Sequence, residues 1–203
     1  MITTIIFDIG MVLAEFAWEE YIASFGFSKE VEKRLAKATV MAPVWDEFDR
    51  GEMTDEQIIQ AFIENDPGIE KEIRQITEDV HDIVTPYDYA IPWVDDLKAA
   101  GYRVLYLSNF SQKARVECAY ALGFMSHMDG GIMSYEIKKI KPEPAIYQEL
   151  IDRYDLIPEE CVFLDDRKVN TDAAEVFGIH TITFTNQADA IEALKKLGVS
   201  TQA

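Results

Sequence analysis

The chain has 203 residues, of which 37 are Asp or Glu and 19 are Lys or Arg, so its formal net charge at pH 7 is -18. This charge repels nucleic-acid phosphates and anionic membrane surfaces, and neither is expected as a partner. A small anionic substrate remains compatible with it, because a bound divalent cation and a few local bases can reverse the field inside a cleft.

The length and apolar content predict one domain of moderate size, or a core domain with a small inserted one. We expect neither a membrane span nor a signal peptide, since no apolar run reaches about 18 residues and the sequence opens directly on a strand pattern. A cytoplasmic location is therefore the default expectation. Cys118 and Cys161 lie in apolar contexts and are predicted to be free thiols. We expect a monomer or a homodimer.

The first predicted element is a buried strand that delivers Asp8 at its carboxyl end. The run Ile5-Ile6-Phe7 shows no polar alternation, which is typical of a strand covered on both faces in a parallel sheet. Ligands bind at the carboxyl ends of such strands, so Asp8 is a candidate functional residue. Taken alone, an aspartate at this place is more often the cap of a turn.

After Asp8 the pattern changes from strand to short helices. Apolar spacing predicts four or five of them, at 18–25, 31–40, 44–48, 58–63 and 69–84. The segment Thr54 to Gln57 resembles a capping box at the start of one of these helices. A helical block between two strand-rich regions indicates an inserted cap. We therefore expect a cap at 15–87 and a core formed by 1–14 and 88–203.

From Ile91 onward, short strands and helices alternate. Strands are predicted at 103–107, 131–133, 161–164 and 181–184, and helices at 92–100, 112–122, 145–154, 170–177 and 188–197. Such alternation gives a parallel sheet with right-handed crossovers. The predicted fold class is therefore α/β, a Rossmann-like parallel sheet with a small α-helical cap.

Four polar motifs stand at strand ends or before a helix: Asp8, Ser108-Asn109, Lys141 and Asp165-Asp166. Carboxylates gathered at one sheet edge repel one another, by about 4 kcal/mol for a pair about 4 Å apart at an effective dielectric constant near 20. A hard divalent cation relieves this repulsion, and oxygen ligands suit Mg²⁺. Lys141 would add positive charge, and the backbone N–H groups that follow Ser108 could hold an anion.

In this order on a parallel sheet, the four motifs resemble those of the haloacid dehalogenase-like (HAD) hydrolase superfamily. The resemblance covers nearly the whole chain, with the helical block in the place of that family's first cap. It implies that Asp8 attacks phosphorus to give an aspartyl-phosphate that water then hydrolyses, with Ser108 and Lys141 as further catalytic residues.

The resemblance also implies an Mg²⁺ ion held by Asp8, the backbone carbonyl of Gly10 and Asp166. Asp165 would bind the ion through water, and Asn170 would steady the loop. Which of the two neighbouring acids is the direct ligand is left open by the sequence, although the spacing of Asp166 to Asn170 favours Asp166.

One position departs from the family pattern. Most phosphatases and mutases of the superfamily carry a second Asp two residues after the nucleophile, as general acid and then general base, and here that residue is Gly10. Loss of a positioned proton donor costs about 10²–10⁴ in rate, so a phosphomutase is not expected. Either the leaving group needs little protonation or another acid replaces the missing one. Glu15 is the first candidate, followed by Asp46 and Asp49.

The Asp8-x-Gly10-x-Val12 form, Glu15 and the Arg50-Gly51-Glu52 segment look like the α-D-glucose-1-phosphate phosphatase-like branch. The implied substrate is a small phosphorylated metabolite, with a sugar phosphate as one option. The residues predicted to bind it are Ser108, Asn109, Lys141, Glu15 and Arg50.

Two other functions stay open at this point. The same aspartate could hydrolyse a carbon–halogen bond, a reaction that needs no divalent cation. Alternatively, because of Gly10, the chain could be a phosphate-binding or regulatory HAD protein with little turnover.

Overall fold

The computed structural model describes residues 1–200 and contains a five-stranded sheet and a separate two-stranded ribbon. The strands are β1 (Thr4–Phe7), β2 (Ala14–Phe16), β3 (Val84–Pro86), β4 (Arg103–Ser108), β5 (Gly130–Met133), β6 (Cys161–Asp165) and β7 (His180–Thr183). The sheet has the order β5-β4-β1-β6-β7, and all its neighbouring strands are parallel. The predicted α/β class with a parallel sheet is confirmed.

Helices occupy most of the connections between strands. They are α1 (Trp18–Ser24), α2 (Lys29–Ala38), α3 (Val44–Arg50), α4 (Asp55–Asn65), α5 (Glu70–Glu78), α6 (Ala90–Ala99), α7 (Gln112–Glu117), α8 (Ser134–Ile137), α9 (Pro144–Tyr154), α10 (Lys168–Glu175) and α11 (Gln187–Lys196). Among residues 1–200, none of these helices combines the length and the apolar character that a membrane span requires.

The central strand β1 is covered on both faces, as its unbroken apolar sequence predicts. Successive side chains of a strand point to opposite faces, and Ile5 and Phe7 join one hydrophobic cluster while Ile6 joins another. The first cluster includes Trp93 of α6, and the second includes Tyr147 of α9. This two-sided burial fixes the strand whose carboxyl end carries Asp8.

The ribbon formed by β2 and β3 was not predicted. The two strands are antiparallel, with Glu15 opposite Thr85, and they lie where the chain enters and leaves the block of helices α1 to α5. Strands of three residues are too short to show a period, and the apolar residues before β3 were assigned to a helix over 69–84 that in fact ends at Glu78. The predicted cap boundaries fall near this ribbon and stay a prediction.

A second helix prediction was also too long. The helix expected over 112–122 ends at Glu117, and a 3₁₀ stretch, Ala119–His127, follows it. The local reason is a change of backbone at Cys118 and Leu122, whose dihedral angles are not helical.

The capping box predicted at the start of α4 is confirmed. Thr54 Oγ1 accepts a hydrogen bond from the backbone N–H of Gln57 over 3.3 Å, and Gln57 Oε1 accepts one from the N–H of Thr54 over 2.8 Å. Two backbone donors that a helix start leaves unpaired are thereby satisfied.

Gly131 lies in β5 where the sheet leaves no room for a side chain. A Cβ atom there would come 2.3 Å from the backbone oxygen of Tyr106 on the neighbouring strand. We expect Gly131→Ala to lower the free energy of unfolding by roughly 1–3 kcal/mol, because the strands would have to separate. Urea denaturation measures the change. Gly123→Ala is the matched control, since a Cβ atom at Gly123 meets no atom of the described chain within 4 Å. Equal losses of stability in the two variants would contradict the steric argument.

Candidate active site

The register of the parallel sheet brings three of the predicted residues together. Phe7 of β1 pairs with Tyr106 of β4 and with Leu164 of β6, so the next residues along each strand emerge at the same edge. Ser108 Oγ donates a hydrogen bond to Asp8 Oδ1 over 2.8 Å. Asp165 ends β6 on the other side of Asp8.

Lys141 lies between the two buried carboxylates. Its Nζ is 2.8 Å from Asp8 Oδ1 and 2.6 Å from Asp165 Oδ2, and its side chain is 1% exposed. The loop before α9 therefore places the ammonium group at the carboxyl edge of the sheet. Of the three lysines in this segment, Lys141 is the one that reaches the site; Lys139 pairs with Glu149 instead.

Asn109 fixes the backbone of Lys141. Its Oδ1 accepts a hydrogen bond from the N–H of Lys141 over 2.7 Å, and its Nδ2 donates one to the carbonyl oxygen of Lys141 over 3.0 Å. This two-way contact between the loop after β4 and the loop before α9 was not foreseen. The predicted role of Asn109 in substrate binding stays a prediction.

Three hydrogen-bond donors contact a single carboxylate oxygen of Asp8. Oδ1 receives the Ser108 hydroxyl, the Lys141 ammonium and the backbone N–H of Ile9, which lies at 2.7 Å. Among residues 1–200, no donor is bonded to Oδ2, and Asp8 lines the main cavity of the site. One oxygen is thus held in place while the other is left for chemistry.

The two neighbouring acids have different surroundings. Asp165 is fully buried, and its oxygens accept hydrogen bonds from Lys141, from Asn170 Nδ2 at 2.9 and 3.0 Å, and from the N–H of Arg167 at 2.8 Å. Asp166 is half-buried, and its side chain forms no hydrogen bond with any other residue of the described part of the chain. Asp165 therefore anchors Lys141, and Asp166 is the acid free to take a ligand.

The cluster holds more negative than positive charge. Burial raises the pKa of Asp8, and Asp165 and Asp166 raise it further, whereas Lys141 acts in the opposite direction. Burial and the neighbouring Asp165 also raise the pKa of Asp166. Burial disfavours the charged form of Lys141, but attraction to Asp8 and Asp165 outweighs it, so its pKa is raised and the ammonium persists.

The donor set of this cluster fits a divalent cation. Asp8, Asp165 and Asp166 each offer an oxygen, and these oxygens lie within 4.8 Å of one another. The buried Oδ1 of Asn170 receives no hydrogen bond from any residue of 1–200, which leaves a further oxygen unsatisfied beside them. An all-oxygen set with excess negative charge is what Mg²⁺ binds.

A cavity of about 520 Å³ adjoins these residues. Its core side is polar and includes Asp8, Gly10, Ser108, Lys141 and Asp166. Its cap side is largely apolar and includes Phe16, Val40, Trp45 and Phe48. The volume lies within the range of about 300–1,000 Å³ that small-molecule sites occupy.

The remaining predicted substrate residues lie in different surroundings. Glu15 lines the cavity from β2, and its Oε2 accepts a hydrogen bond of 3.4 Å from Thr85 in β3. Arg50 forms two hydrogen bonds with Glu143, of 3.0 and 2.7 Å, and joins α3 to the segment that follows Lys141. The structure thus gives Arg50 a contact with the core, and its role toward a substrate stays a prediction.

Sequence reasoning missed Arg167. It follows the acidic pair directly and lines the cavity. The signal in the sequence is its position directly after a strand end at the carboxyl edge of the sheet.

The chain is similar to known proteins in sequence and in fold. The family model for haloacid dehalogenase-like hydrolases matches residues 2–178. The chain is 31% identical over 104 residues to (S)-2-haloacid dehalogenase 1 from Pseudomonas sp. (strain CBS-3), which is 51% of this chain and 46% of that protein. It is 25% identical over 171 residues to fructose-1-phosphate phosphatase YqaB from Escherichia coli (strain K12), which is 82% of this chain and 84% of that protein. It spans 13% to 47% of the length of four curated relatives.

Among solved structures, the fold is similar to that of the HAD family enzyme bt-2542 from Bacteroides thetaiotaomicron. The TM-score is 0.73 at 22% identity, over 95% of this chain and 98% of that one. A second crystal structure of the same enzyme, described as a complex with magnesium and inorganic phosphate, gives a TM-score of 0.69 at 21% identity over 91% of this chain and 95% of that one. The likeness extends over nearly all of both chains.

Proposed function

Because the chain belongs to the haloacid dehalogenase-like hydrolase family, we propose that it is an Mg²⁺-dependent phosphatase that hydrolyses a small phosphate monoester through a phospho-aspartate on Asp8. The family resemblance stated from the four motifs is confirmed by the match over residues 2–178. The likeness to the α-D-glucose-1-phosphate phosphatase-like branch remains part of the proposal.

The observation that carries the proposal is the geometry around Asp8. Three donors hold Oδ1, and no residue of 1–200 donates a hydrogen bond to Oδ2. The second oxygen is therefore available to a reacting atom in the adjoining cavity, while the carboxylate keeps its position. A carboxylate fixed in this way is a suitable nucleophile for covalent catalysis.

The side chains around Asp8 supply the remaining interactions. Lys141 would neutralise negative charge on the phosphoryl oxygens, and the Ser108 hydroxyl and the N–H groups that follow it would bind them. Asp8, Asp166 and the Gly10 carbonyl would hold Mg²⁺ directly, and Asp165 would hold it through water. The bound ion would offset the repulsion between the nucleophile and the phosphate. The magnesium and phosphate complex described for bt-2542 supports this assignment.

We propose a sugar phosphate as the first substrate class to test. The likeness to the E. coli fructose-1-phosphate phosphatase supports it, and the cavity volume suits a small metabolite. Glu15 at the cavity wall is the proposed partner for a substrate hydroxyl.

We also propose a cytoplasmic location, a monomer or homodimer, and no nucleic-acid or membrane partner. The two free, buried thiols of Cys118 and Cys161 suit a reducing compartment.

Carbon–halogen hydrolysis is the second candidate, and Gly10 favours it. A halide needs no proton to leave, so the missing acid would not slow that step, and a haloacid dehalogenase is among the relatives. Against it stands Asp166, which forms no side-chain hydrogen bond with another residue of 1–200 and lies in a group of three acids that could hold a cation. Halide release in the presence of a chelator would decide for this reaction.

A regulatory phosphate-binding protein would bind phosphate mimics and release no phosphate from any ester.

Chelation tests the role of the cation. We expect EDTA to abolish phosphate release from a panel of phosphorylated metabolites and Mg²⁺ to restore it. Asp166→Asn should raise the Mg²⁺ concentration for half-maximal activity by ~10–100-fold or more, because it removes a ligand charge. Asp88→Asn is the control, because Asp88 is an exposed acid outside the block of helices α1 to α5; its Mg²⁺ requirement should equal that of the wild type. Full phosphatase activity without a divalent cation would refute the metal assignment.

A further inference from the structure

Glycine at position 10 leaves the proposed reaction without a proton donor at the usual place. Three acids of the cap side line the same cavity and could replace it: Glu15, Asp46 and Asp49. They differ in how firmly they are held and in what already occupies their oxygens. The structure separates them.

Asp49 lies at the end of α3, where three successive residues form hydrogen bonds with the core. The hydroxyl of Ser134 donates a hydrogen bond of 2.6 Å to the carbonyl oxygen of Asp49. The next residue, Arg50, forms the two-pronged pair with Glu143, and the residue after that, Gly51, accepts a hydrogen bond from Lys138. Three successive residues of the cap are thus bound to core residues. These contacts fix the position of the Asp49 backbone, from which its side chain extends.

These core contacts belong to the segment that carries Lys141. Ser134 begins α8, and Glu143 stands two residues after Lys141. The Ser134 hydroxyl also accepts a hydrogen bond of 2.9 Å from the N–H of Phe110, in the loop that follows Ser108. The position of Asp49 is therefore tied to two of the loops that form the phosphate-binding part of the site.

The two rival acids are less suitable. Glu15 lies on the ribbon, and one of its oxygens accepts a hydrogen bond from Thr85. Asp46 is exposed to solvent, nearly one helical turn before Asp49 and farther from the attachment. The Asp49 carboxyl lines the cavity and forms no hydrogen bond with any other residue in the described part of the chain, so it is free to interact with a substrate.

Burial and the neighbouring acids favour the protonated form of the Asp49 carboxyl. Burial raises its pKa to about 8, with further contributions from the negative charges of Asp46 and Asp8, while Lys141 and Arg167 act in the opposite direction. The other charged groups in the cavity wall are Glu15 and Asp166, which are both acidic. A carboxylic acid that holds its proton at pH 7 can act as a general acid.

We propose that Asp49 is the acid–base catalyst of this enzyme, a role that rests on the proposed phosphatase reaction. When Asp8 Oδ2 forms a bond to phosphorus and the bond to the ester oxygen breaks, the proton of Asp49 goes to that oxygen, and the alcohol leaves neutral. The Asp49 carboxylate then takes a proton from the water that attacks the phospho-aspartate. Inorganic phosphate, the Asp8 carboxylate and protonated Asp49 result, so the cycle closes with one water consumed.

The test compares leaving groups in the full-length protein. Asp49→Asn is expected to lower kcat/KM for an alkyl phosphate such as glycerol 2-phosphate by about 10²–10⁴. With p-nitrophenyl phosphate, whose phenolate leaves without a proton, phosphorylation of Asp8 should survive while hydrolysis of the phospho-aspartate slows. The variant should then release one burst of p-nitrophenol per enzyme molecule. Glu64→Gln, an exposed cap acid, is the matched control.

The pH profile gives a readout that a purely structural role would not move. A general acid must be protonated, so kcat/KM of the wild type for the alkyl phosphate should fall as pH rises above the pKa of Asp49. That falling limb should be absent in Asp49→Asn. If Glu15→Gln or Asp46→Asn removes the limb instead, the assignment to Asp49 is wrong.

Position 10 allows a rescue experiment. A Cβ atom at Gly10 meets no atom of residues 1–200 within 4 Å, so an aspartate can be introduced there without a clash at its first side-chain atom. Gly10→Asp in the Asp49→Asn background should recover alkyl phosphate hydrolysis, because the acid is returned to the family's usual place. Wild-type turnover of the alkyl ester that persists undiminished in Asp49→Asn would overturn the inference while the phosphatase proposal stands; a wild type that cleaves no phosphate ester would overturn both.

Discussion

Asp8→Asn should abolish phosphate release, with a loss of about 10⁴-fold or more, because removal of a covalent nucleophile leaves only the binding interactions of the site. The substitution keeps Oδ1, so the hydrogen bonds from Ser108 and Ile9 can persist. The loss would therefore report on chemistry rather than on the fold. Steady-state phosphate release from the best substrate of the panel measures it.

The same variant has an expected effect on stability that serves as its control. The pKa of Asp8 is raised to about 7 in the folded chain from an ordinary value of 3.8, so the wild type without metal loses stability as pH rises across that interval. Asparagine does not titrate. With a chelator present at pH 7, the urea concentration that unfolds half of Asp8→Asn should be at least as high as that for the wild type. Unchanged turnover in this well-folded variant would contradict the assignment of Asp8 as the nucleophile.

Lys141→Met should remove activity and stability together. The ammonium is buried between Asp8 and Asp165, and its loss leaves two adjacent carboxylates without a counter-charge. Breaking a buried pair by removing one partner costs about 3–5 kcal/mol. We expect a decrease of this size in the free energy of unfolding at pH 7, measured by urea denaturation with a chelator present.

The pH dependence of that decrease has a defined sign. Lys141 lowers the pKa of Asp8, which burial raises. Without Lys141, the pKa of Asp8 therefore rises further in the folded chain, so the variant binds more protons folded than unfolded and its stability falls as pH rises. The difference from the wild type should shrink in mild acid and grow toward pH 7. Lys139→Met is the control, because Lys139 pairs with Glu149 at the surface, where an ion pair contributes about 0–1 kcal/mol. Equal effects in the two variants would contradict the buried role of Lys141.

Much of the core could be predicted from sequence because its elements have local signatures. The unbroken apolar run before Asp8 required burial on both faces, and the alternation of strands and helices after Ile91 required a parallel sheet. In such a sheet, residues that follow neighbouring strands must meet at one edge. The meeting of Asp8, Ser108 and Asp165 follows from that rule because β4 and β6 flank β1 in the sheet.

The cap side of the site could not be predicted in the same way. Whether Glu15, Asp46 or Asp49 stands nearest the reacting atoms depends on how α3 sits on the core, and that is decided by long-range contacts such as Arg50 with Glu143 and Ser134 with the Asp49 carbonyl. Spacing along the chain carries no record of such contacts. For the same reason the sequence ranked Glu15 first, since it is nearest to Asp8 along the chain.

The stereochemical course at phosphorus tests the central claim most directly. Hydrolysis through a phospho-aspartate involves two displacements, so an oxygen-isotope-labelled chiral phosphorothioate ester, hydrolysed in water of the third oxygen isotope, should give chiral inorganic thiophosphate with net retention of configuration. A single attack by water would give inversion. Retention is the result that a covalent intermediate on Asp8 predicts, and inversion would contradict it.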